Sequence, residues 1–421
     1  MRTLAIQGVL TFLATALAAA SSSQAAATGT APRPSTSPAT SPASTRTGRF
    51  CLMALGSNKL PDLEALDHRY DLMICSGDVK PDVIDGFRKR NPGGEVFCYV
   101  NTSDADADSA RWPEYRKLWE DVSAHEDWFH HDANGDRVKI YFPKYKGRCA
   151  FNTGNVEFQK YLAGRVVDTL NTGRYGGIQL DNVSTEFPFK KEIVGKWCSS
   201  QPVRLTPAQW TADEVAMLKT VMEAVADAGF SDKSGKNAKT IIFNHMRSGE
   251  PDESAAYLEV ADGANCESWM SLRTELDGRW GWKAKVDQVR AANRKGKLTN
   301  LLCTPAALSE DEALFCFASY LMAKEGDRAY FYYGTAYRMA AQKAWYAFYE
   351  ADIGKPKGDY EERDGGFWRT FSKGGVVVNP TNKSVTVSMP GRYRTLDGRE
   401  VDKITLAPKR GAILLAPVAK P

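Results

Sequence analysis

The sequence has almost no net charge, few histidines and no long apolar run beyond its first 27 residues. Its 55 Lys and Arg residues against 51 Asp and Glu leave a formal charge of +4, which argues against a nucleic-acid binder. The five His are scattered and the Cys spacing matches no zinc site, so we expect neither a metal nor an organic cofactor. Because the only long apolar run stands at the start, no membrane span is expected in the mature chain.

Two common enzyme signatures are also missing. There is no G-x-S-x-G elbow of the kind that carries the nucleophile in serine hydrolases. No glycine-rich dinucleotide turn follows the first predicted strand. The segment Asp132–Asp136 begins like a calcium loop, but Arg137 and Pro143 stand where that loop needs Gly and Glu. An Asn134-Gly135 hairpin turn is expected there instead.

The first 47 residues have the order of an export signal followed by a tether. Arg2 precedes an apolar, Ala-rich stretch (4–20), and Ala25–Ala27 offers an A-x-A cleavage site, so residues 1–27 are predicted to be a signal peptide. An N-terminal anchor helix is the alternative. Residues 28–47 are rich in Pro, Ser and Thr and predict a flexible linker. We therefore expect a secreted protein, extracellular or periplasmic.

From residue 48 onward, short β-rich runs alternate with longer amphipathic runs. Eight runs predict strands, and most are apolar on both faces, which is typical of a parallel sheet covered by helices. The predicted strands are Phe50–Leu55, Asp71–Cys75, Glu95–Asn101, Gly177–Val183, Thr240–His245, Gly263–Ser268, Leu298–Thr304 and Ala329–Gly334. Eight such units predict an α/β fold, a closed (β/α)8 TIM barrel over residues 48–360, and an open doubly wound sheet is the alternative.

The segments between and after these strands complete the expected architecture. The predicted helices are Pro81–Arg90, Val156–Leu170, Pro207–Ala228, Lys283–Lys295, Glu310–Lys324 and a last helix, Tyr337–Ile353. A long third β-to-α loop should hold a short helix (Pro113–Ala124) and a hairpin (Trp128–Phe142) over the mouth of the barrel. Residues 361–421 alternate short β runs with turns and predict a small C-terminal antiparallel β domain.

Two carboxylates at predicted strand ends are the candidate catalytic pair. In the strand that ends with Asp181, Ile178 and Leu180 should face the helices, so Asp181 should point into the barrel mouth. Glu267 follows the sixth strand, and the two side chains could face each other across a substrate. Glycosidic bond cleavage needs such a pair, one carboxylate ionised and one protonated. We expect Glu267 to be the proton donor and Asp181 to be the nucleophile or base.

Other residues at the strand ends are predicted to bind substrate. Trp269 could form a stacking wall for a sugar, and it would also favour the protonated form of Glu267. Five more candidates end β runs and could bind sugar hydroxyls: Tyr99, Asn101, Asn244, His245 and Tyr333. Asp78 and Asp104 are competing carboxylates at strand ends.

Two of the eight cysteines are predicted to form a disulfide. Most of the others lie in apolar strand-like runs and should be buried thiols. Cys149 ends the third β-to-α loop and Cys198 lies in the next one, both in polar stretches on the same face of the barrel. Because both thiols should lie on the same face and near each other, we predict a disulfide between them.

These motifs together resemble the hypothetical glycosyl hydrolase family fifteen, a distant relative of the endo-α-polygalactosaminidase barrels. The resemblance covers residues 48–416 and rests on LMALG, FNTGNVEFQKYL, GGIQLDNVS, CES and GGVVVNPTNKSVTV. The related barrels place an Asp after strand four and a Glu after strand six, which match Asp181 and Glu267. The resemblance therefore favours these two acids over the competing ones.

The sequence thus predicts a secreted glycoside hydrolase acting on a polysaccharide or oligosaccharide. A non-catalytic carbohydrate-binding or wall-associated barrel is the alternative. A barrel hydrolase of another bond, such as a phosphodiester, is a third hypothesis and would need metal ligands. Retention or inversion of configuration depends on the carboxylate separation and stays open at this stage.

Overall fold

The computed structural model describes residues 46–55, 67–107, 113–140, 147–230, 238–246, 251–337, 342 and 344–416. The predicted signal peptide and nearly all of the predicted linker therefore lie outside the described residues. None of the described helices has both the length and the apolar character that crossing a bilayer requires.

Eight parallel strands form the barrel. In chain order the first ten strands are β1 Cys51–Ala54, β2 Leu72–Ser76, β3 Glu95–Asn101, β4 Asp104–Ala105, β5 Cys149–Ala150, β6 Gly177–Asp181, β7 Thr240–Phe243, β8 Gly263–Cys266, β9 Leu298–Cys303 and β10 Ala329–Tyr333. All except β4 and β5 belong to one sheet, in the order of the chain. A parallel bridge between Phe50 and Phe331 joins its two edges. The predicted barrel and all eight predicted strands are confirmed.

Side-chain alternation along these strands divides the core in two. The inner cluster fills the barrel and includes Met53, Ile74, Phe97, Leu302 and Tyr332. Residues of the opposite parity form an outer cluster with the helices. Because both faces of the strands are buried, their sequences are nearly continuous apolar runs.

Seven helices have described bounds: α1 Pro81–Arg90, α2 Pro113–Val122, α3 Val156–Asn171, α4 Pro207–Val225, α5 Pro251–Val260, α6 Trp282–Arg294 and α7 Glu310–Ala323. The predicted start of α7 is confirmed, since the Ser309 side chain caps it by accepting a hydrogen bond from the Glu312 N–H. Helix α5 was not predicted. The predicted last helix is wrong, because its described part contains only a 3-10 turn, Ala347–Glu350. Aromatic packing of that segment against Phe50, rather than helical periodicity, decides its shape.

The long third loop forms a small antiparallel layer above the barrel. Strands β4 and β5 pair antiparallel, and Ile140 donates a backbone hydrogen bond to the Arg148 carbonyl. The predicted hairpin turn is confirmed: His131 bridges to Arg137, and Gly135 has a positive φ of 84°, a conformation that glycine adopts without strain.

The C-terminal residues form a separate six-stranded antiparallel sheet, as predicted. Its strands are β11 Glu361–Arg363, β12 Gly366–Phe371, β13 Gly374–Asn379, β14 Val385–Thr395, β15 Glu400–Leu406 and β16 Arg410–Leu415. The sheet packs on α7 through β16, where a Cβ at Gly411 would lie 2.5 Å from the Ala318 Cβ. This close approach requires glycine and brings the sheet against the barrel.

A buried glutamate on α4 predicts that stability falls as pH rises. Glu214 is buried, and burial raises its pKa to about 8, although the neighbouring Thr153 side chain opposes this increase. In the unfolded chain its pKa is about 4.3. Between these values only the folded protein holds the proton, so the free energy of unfolding should drop by about 3–4 kcal/mol from pH 5 to pH 8. Urea unfolding of Glu214→Gln at both pH values should lack this drop.

Glu223 on the same helix is the matched control because it is exposed. Glu223→Gln should keep the pH dependence of the wild type. An unchanged pH dependence in Glu214→Gln would show that Glu214 does not cause it.

Candidate functional site

Asp181 points into the mouth of the barrel from the end of β6. Ile178 and Leu180 lie in the outer cluster and Gln179 has the opposite parity, so the predicted alternation is confirmed. Asn182 then adopts a positive φ of 63°, which ends the strand. Asp181 is 4% exposed and lies at the base of the mouth.

Two neutral donors hold the Asp181 carboxylate. The Tyr99 hydroxyl donates to Oδ2 at 2.5 Å, and the Asn244 amide donates to Oδ1 at 2.5 Å. The Thr102 hydroxyl also donates to the Asp181 backbone carbonyl at 2.7 Å, which anchors the end of β6 to β3. Hydrogen bonds to both oxygens fix the orientation of the carboxylate and suit its ionised form.

Glu267 follows β8 and faces the same point. Its Oε1 atom accepts a hydrogen bond from the Asn244 amide at 3.0 Å, and its Oε2 atom lies 3.8 Å from His245 Nε2. The Glu267 side chain is 19% exposed, so it is nearer to solvent than Asp181. The next residue, Ser268, has a positive φ of 50° and turns the chain away.

One asparagine joins the two acids. Asn244 is fully buried after β7, and its amide nitrogen donates to both Asp181 and Glu267. Its Oδ1 atom accepts the His245 backbone N–H at 2.8 Å, which fixes the amide orientation. Side-chain ligand atoms of Asp181, His245 and Glu267 all lie within 4.8 Å of one another. The two carboxylates are therefore close and hydrogen-bonded through a shared donor.

These three side chains are also a possible set of metal ligands. A His and two carboxylates could coordinate a divalent ion, and their positions on three strands hid this grouping in the sequence. The Asn244 amide, however, turns its hydrogen atoms toward the space between the carboxylates. Since a donor group repels a cation, the arrangement fits a hydrogen-bonded acid pair better than a bridging ion.

The structure brings four of the predicted substrate-binding residues to this mouth. Tyr99, Asn244 and His245 contact or approach the two acids as described. Asn101 lies beside them, but its side chain is occupied: Nδ2 donates to the Asp104 carbonyl, and Oδ1 accepts from Asn182 Nδ2. A role of these residues in binding sugar stays a prediction.

Two predicted binding residues do not face the mouth. Trp269 is 0% exposed and belongs to the outer cluster, so the predicted stacking wall is wrong. The chain turns at Ser268, directly before it, where φ is positive. Tyr333 also lies in the outer cluster, and its hydroxyl exchanges hydrogen bonds with the Ser309 backbone. In β10 it is Tyr330 and Tyr332 that point inward.

The predicted disulfide is also wrong. Cys149 and Cys198 are both buried free thiols. Between them runs the segment 138–140, in which Lys139 bridges to Cys149 and Ile140 bridges to Cys198. Two inter-strand spacings amount to about 9–10 Å, whereas a disulfide needs Cα atoms within about 7 Å. The two cysteines are near each other, as predicted, but the segment 138–140 separates them.

Two residues near the end of the barrel were absent from the prediction of the site. Thr102 directly follows the predicted candidate Asn101, so its place at a strand end was a usable signal. Tyr337 had been assigned to the last helix. It instead packs against the inner cluster, with its ring centroid 6.0 Å from that of Tyr332.

Comparisons with known proteins agree with this architecture. The sequence model of the hypothetical glycosyl hydrolase family 15 matches residues 88–375. No curated protein sequence matches the chain. The fold is similar to that of a noncanonic maltogenic α-amylase, AmyB from Thermotoga neapolitana, with 12% identity, a TM-score of 0.50, and coverage of 88% of this chain and 99% of that chain. An Anoxybacillus α-amylase has 12% identity, a TM-score of 0.50, and coverage of 90% and 99%.

Proposed function

Since the chain belongs to hypothetical glycosyl hydrolase family 15, we propose that it hydrolyses glycosidic bonds of a polysaccharide or oligosaccharide with Asp181 and Glu267 as its catalytic pair. The membership confirms the resemblance that the sequence motifs indicate. The observation that carries the choice of residues is their separation of at most 4.8 Å at the carboxyl ends of two barrel strands. Two carboxylates at this distance can reach both sides of one glycosidic bond.

The surroundings of the two acids assign their roles. Asp181 accepts hydrogen bonds at both oxygens and is the deeper of the two, which suits a group that stays ionised. Glu267 lies nearer to solvent, where the leaving part of a chain can depart. Asp181 is therefore the nucleophile and Glu267 the proton donor. This assignment does not depend on Trp269.

The separation favours a double displacement. Carboxylates about 5–5.5 Å apart act with retention, whereas inversion needs about 6.5–9.5 Å to fit a water. Asp181 attacks the anomeric carbon while Glu267 gives its proton to the leaving oxygen, and the glycosidic bond breaks. Glu267 then removes a proton from a water, which attacks the same carbon and releases Asp181. Two inversions leave the configuration of the sugar unchanged.

Retention can be read directly from the first product. We expect ¹H NMR during early hydrolysis to show the product anomer with the configuration of the substrate, before mutarotation mixes the two forms. The substrate is found first by incubating the purified protein with p-nitrophenyl glycosides and with plant and microbial polysaccharides, followed by mass spectrometry. An initial product of opposite configuration would contradict the double displacement. Glycan binding without any released sugar would instead support the non-catalytic alternative.

We also propose that the protein is exported. The support is the order of charge, apolar run and small residues in positions 1–27. Expression of the full chain and of a chain starting at residue 28, followed by cell fractionation, tests this proposal. Only the full chain should reach the medium or the periplasm.

A further inference from the structure

Both donor hydrogens of the Asn244 side chain are used within the protein. The amide nitrogen donates to Asp181 Oδ1 at 2.5 Å and to Glu267 Oε1 at 3.0 Å, which accounts for its two N–H bonds. The amide oxygen accepts the backbone N–H of His245 at 2.8 Å, and the residue is 0% exposed. Asn244 therefore has no donor left for a sugar, and its effect on the reaction passes through the two acids.

The position and the orientation of this amide are fixed. Asn244 follows β7, and its backbone N–H donates at 2.8 Å to the carbonyl of Leu180, the residue before Asp181 on the neighbouring strand. Turning the amide by half a rotation would point its oxygen at the two carboxylates and its hydrogens at the His245 N–H. Both contacts would then be repulsive, so the observed orientation is the stable one.

The Asn244 amide distinguishes the two oxygens of Glu267. Oε1 accepts its N–H, whereas Oε2 lies 3.8 Å from His245 Nε2, which is beyond hydrogen-bond distance. In a protonated carboxyl group one oxygen carries the hydrogen and the other remains an acceptor. Because Oε1 already accepts an N–H, Oε2 is the better place for the hydrogen.

The same hydrogen bond becomes stronger during the reaction. While Glu267 is protonated, its Oε1 atom is a neutral acceptor. Once the proton has left, Oε1 belongs to a carboxylate, and a hydrogen bond to an ionised acceptor is roughly twice as strong as one to a neutral acceptor. An interaction that strengthens as charge develops lowers the barrier of the step.

We propose that Asn244 is a positioning residue that directs the catalytic proton of Glu267 to Oε2 and stabilises the charge that Glu267 gains when it gives up this proton. The proposal rests on the proposed function of the acid pair. The proton moves from Oε2 to the glycosidic oxygen, the bond from that oxygen to the anomeric carbon breaks, and Asp181 forms its bond to the carbon. The leaving part of the chain departs as an alcohol, and Glu267 is left as a carboxylate held by the Asn244 N–H.

The dependence of the rate on the leaving group tests this proposal. We use a series of aryl glycosides of one sugar that the wild type cleaves, with phenols of different acidity. A dinitrophenolate departs without protonation, whereas an unsubstituted phenol needs the general acid. Asn244→Ala should lower kcat/KM about 10–100-fold on the phenyl glycoside and clearly less on the dinitrophenyl glycoside. A plot of log kcat/KM against the phenol pKa should therefore be steeper than for the wild type, with Glu267→Ala as the steepest case.

Asn293 on α6 is the matched control, because it is a buried asparagine with the same bonding pattern. Its amide nitrogen donates to the Lys297 carbonyl and to the Thr299 hydroxyl, both at 3.0 Å, and its oxygen accepts the Glu325 N–H at 3.4 Å. Asn293→Ala should lower the melting temperature, since it removes the same number of buried hydrogen bonds. Its plot against the phenol pKa should keep the slope of the wild type.

The results separate this proposal from the proposed function. If Asn244→Ala lowers kcat/KM equally on all the glycosides, or does not lower it, while Asp181→Asn is inactive, the acid pair stands and the role of Asn244 is overturned. If Asn244→Ala does not fold, Asn244→Leu fills the space without a donor, and the same slopes decide. If the wild type cleaves no glycoside, the proposed function fails and this proposal fails with it.

Discussion

Asp181→Asn is expected to lower kcat by more than about 10⁴-fold, because it removes the group proposed to form the covalent bond to the sugar. The asparagine keeps the shape of the side chain and can still interact with Tyr99 and Asn244, so the fold should be unchanged. Glu267→Gln should lower kcat about 10²–10⁴-fold on a natural glycan, the usual contribution of a general acid. Steady-state kinetics and circular dichroism of both purified variants measure these effects.

Leaving-group chemistry distinguishes the two roles. A p-nitrophenolate departs without protonation, so Glu267→Ala should keep far more activity on an aryl glycoside than on a polysaccharide. Azide can then replace water at the covalent intermediate and should give a glycosyl azide with retained configuration. In Asp181→Ala, azide takes the place of the lost carboxylate and should give the inverted azide.

Asp78 is the matched control for this pair. It is a strand-end carboxylate at the same end of the barrel, but it is exposed and makes no contact described at the acid pair. Asp78→Asn should therefore keep the kcat of the wild type. Near-wild-type turnover in both Asp181→Asn and Glu267→Gln would discard the catalytic pair.

The sequence predicted the barrel well because its strands are buried on both faces. Continuous apolar and aromatic runs such as those of β1 and β10 have few interpretations, and the alternation around Ile178 and Leu180 correctly placed Asp181 inside. Helix α5 was missed although it starts with Pro251 and two acidic residues, which is a helix start signal.

The contacts within the site could not be predicted from the sequence. Asn244 joins acids from two other strands, and only the closed barrel brings these three positions together. The position of Trp269 depends on the positive φ of Ser268, and no residue type announces that turn. The orientation of Tyr333, in contrast, could have been predicted from the sequence. Side chains alternate along β10, so Tyr333 points to the side opposite to that of its neighbour Tyr332.

A buried arginine links the C-terminal sheet to the barrel. Arg369 in β12 is 0% exposed. Its guanidinium donates to the carbonyls of Leu321, Met322 and Lys324 at distances of 2.8–3.1 Å. These carbonyls belong to the end of α7, where the helix has no internal donors left. The arginine thereby satisfies groups that the barrel cannot satisfy by itself.

Charge also supports this contact. Glu325 lies 2.9 Å from the Arg369 guanidinium, and the positive charge meets the negative end of the α7 dipole. Burial lowers the pKa of Arg369 to about 10, and the nearby Glu325 opposes this decrease. Arg369 is therefore still charged at neutral pH, and its charge is balanced inside the protein.

Arg369→Met is expected to lower the free energy of unfolding by about 3–5 kcal/mol, because it leaves Glu325 without this partner and several helix carbonyls unsatisfied. Guanidinium chloride denaturation followed by circular dichroism measures the change. Arg399→Met is the matched control: Arg399 pairs with Asp397 in the same C-terminal region, but its side chain is 72% exposed. An exposed pair contributes at most about 1 kcal/mol, so this variant should resemble the wild type. A loss in Arg369→Met no larger than the loss in Arg399→Met would show that the buried arginine does not stabilise this contact.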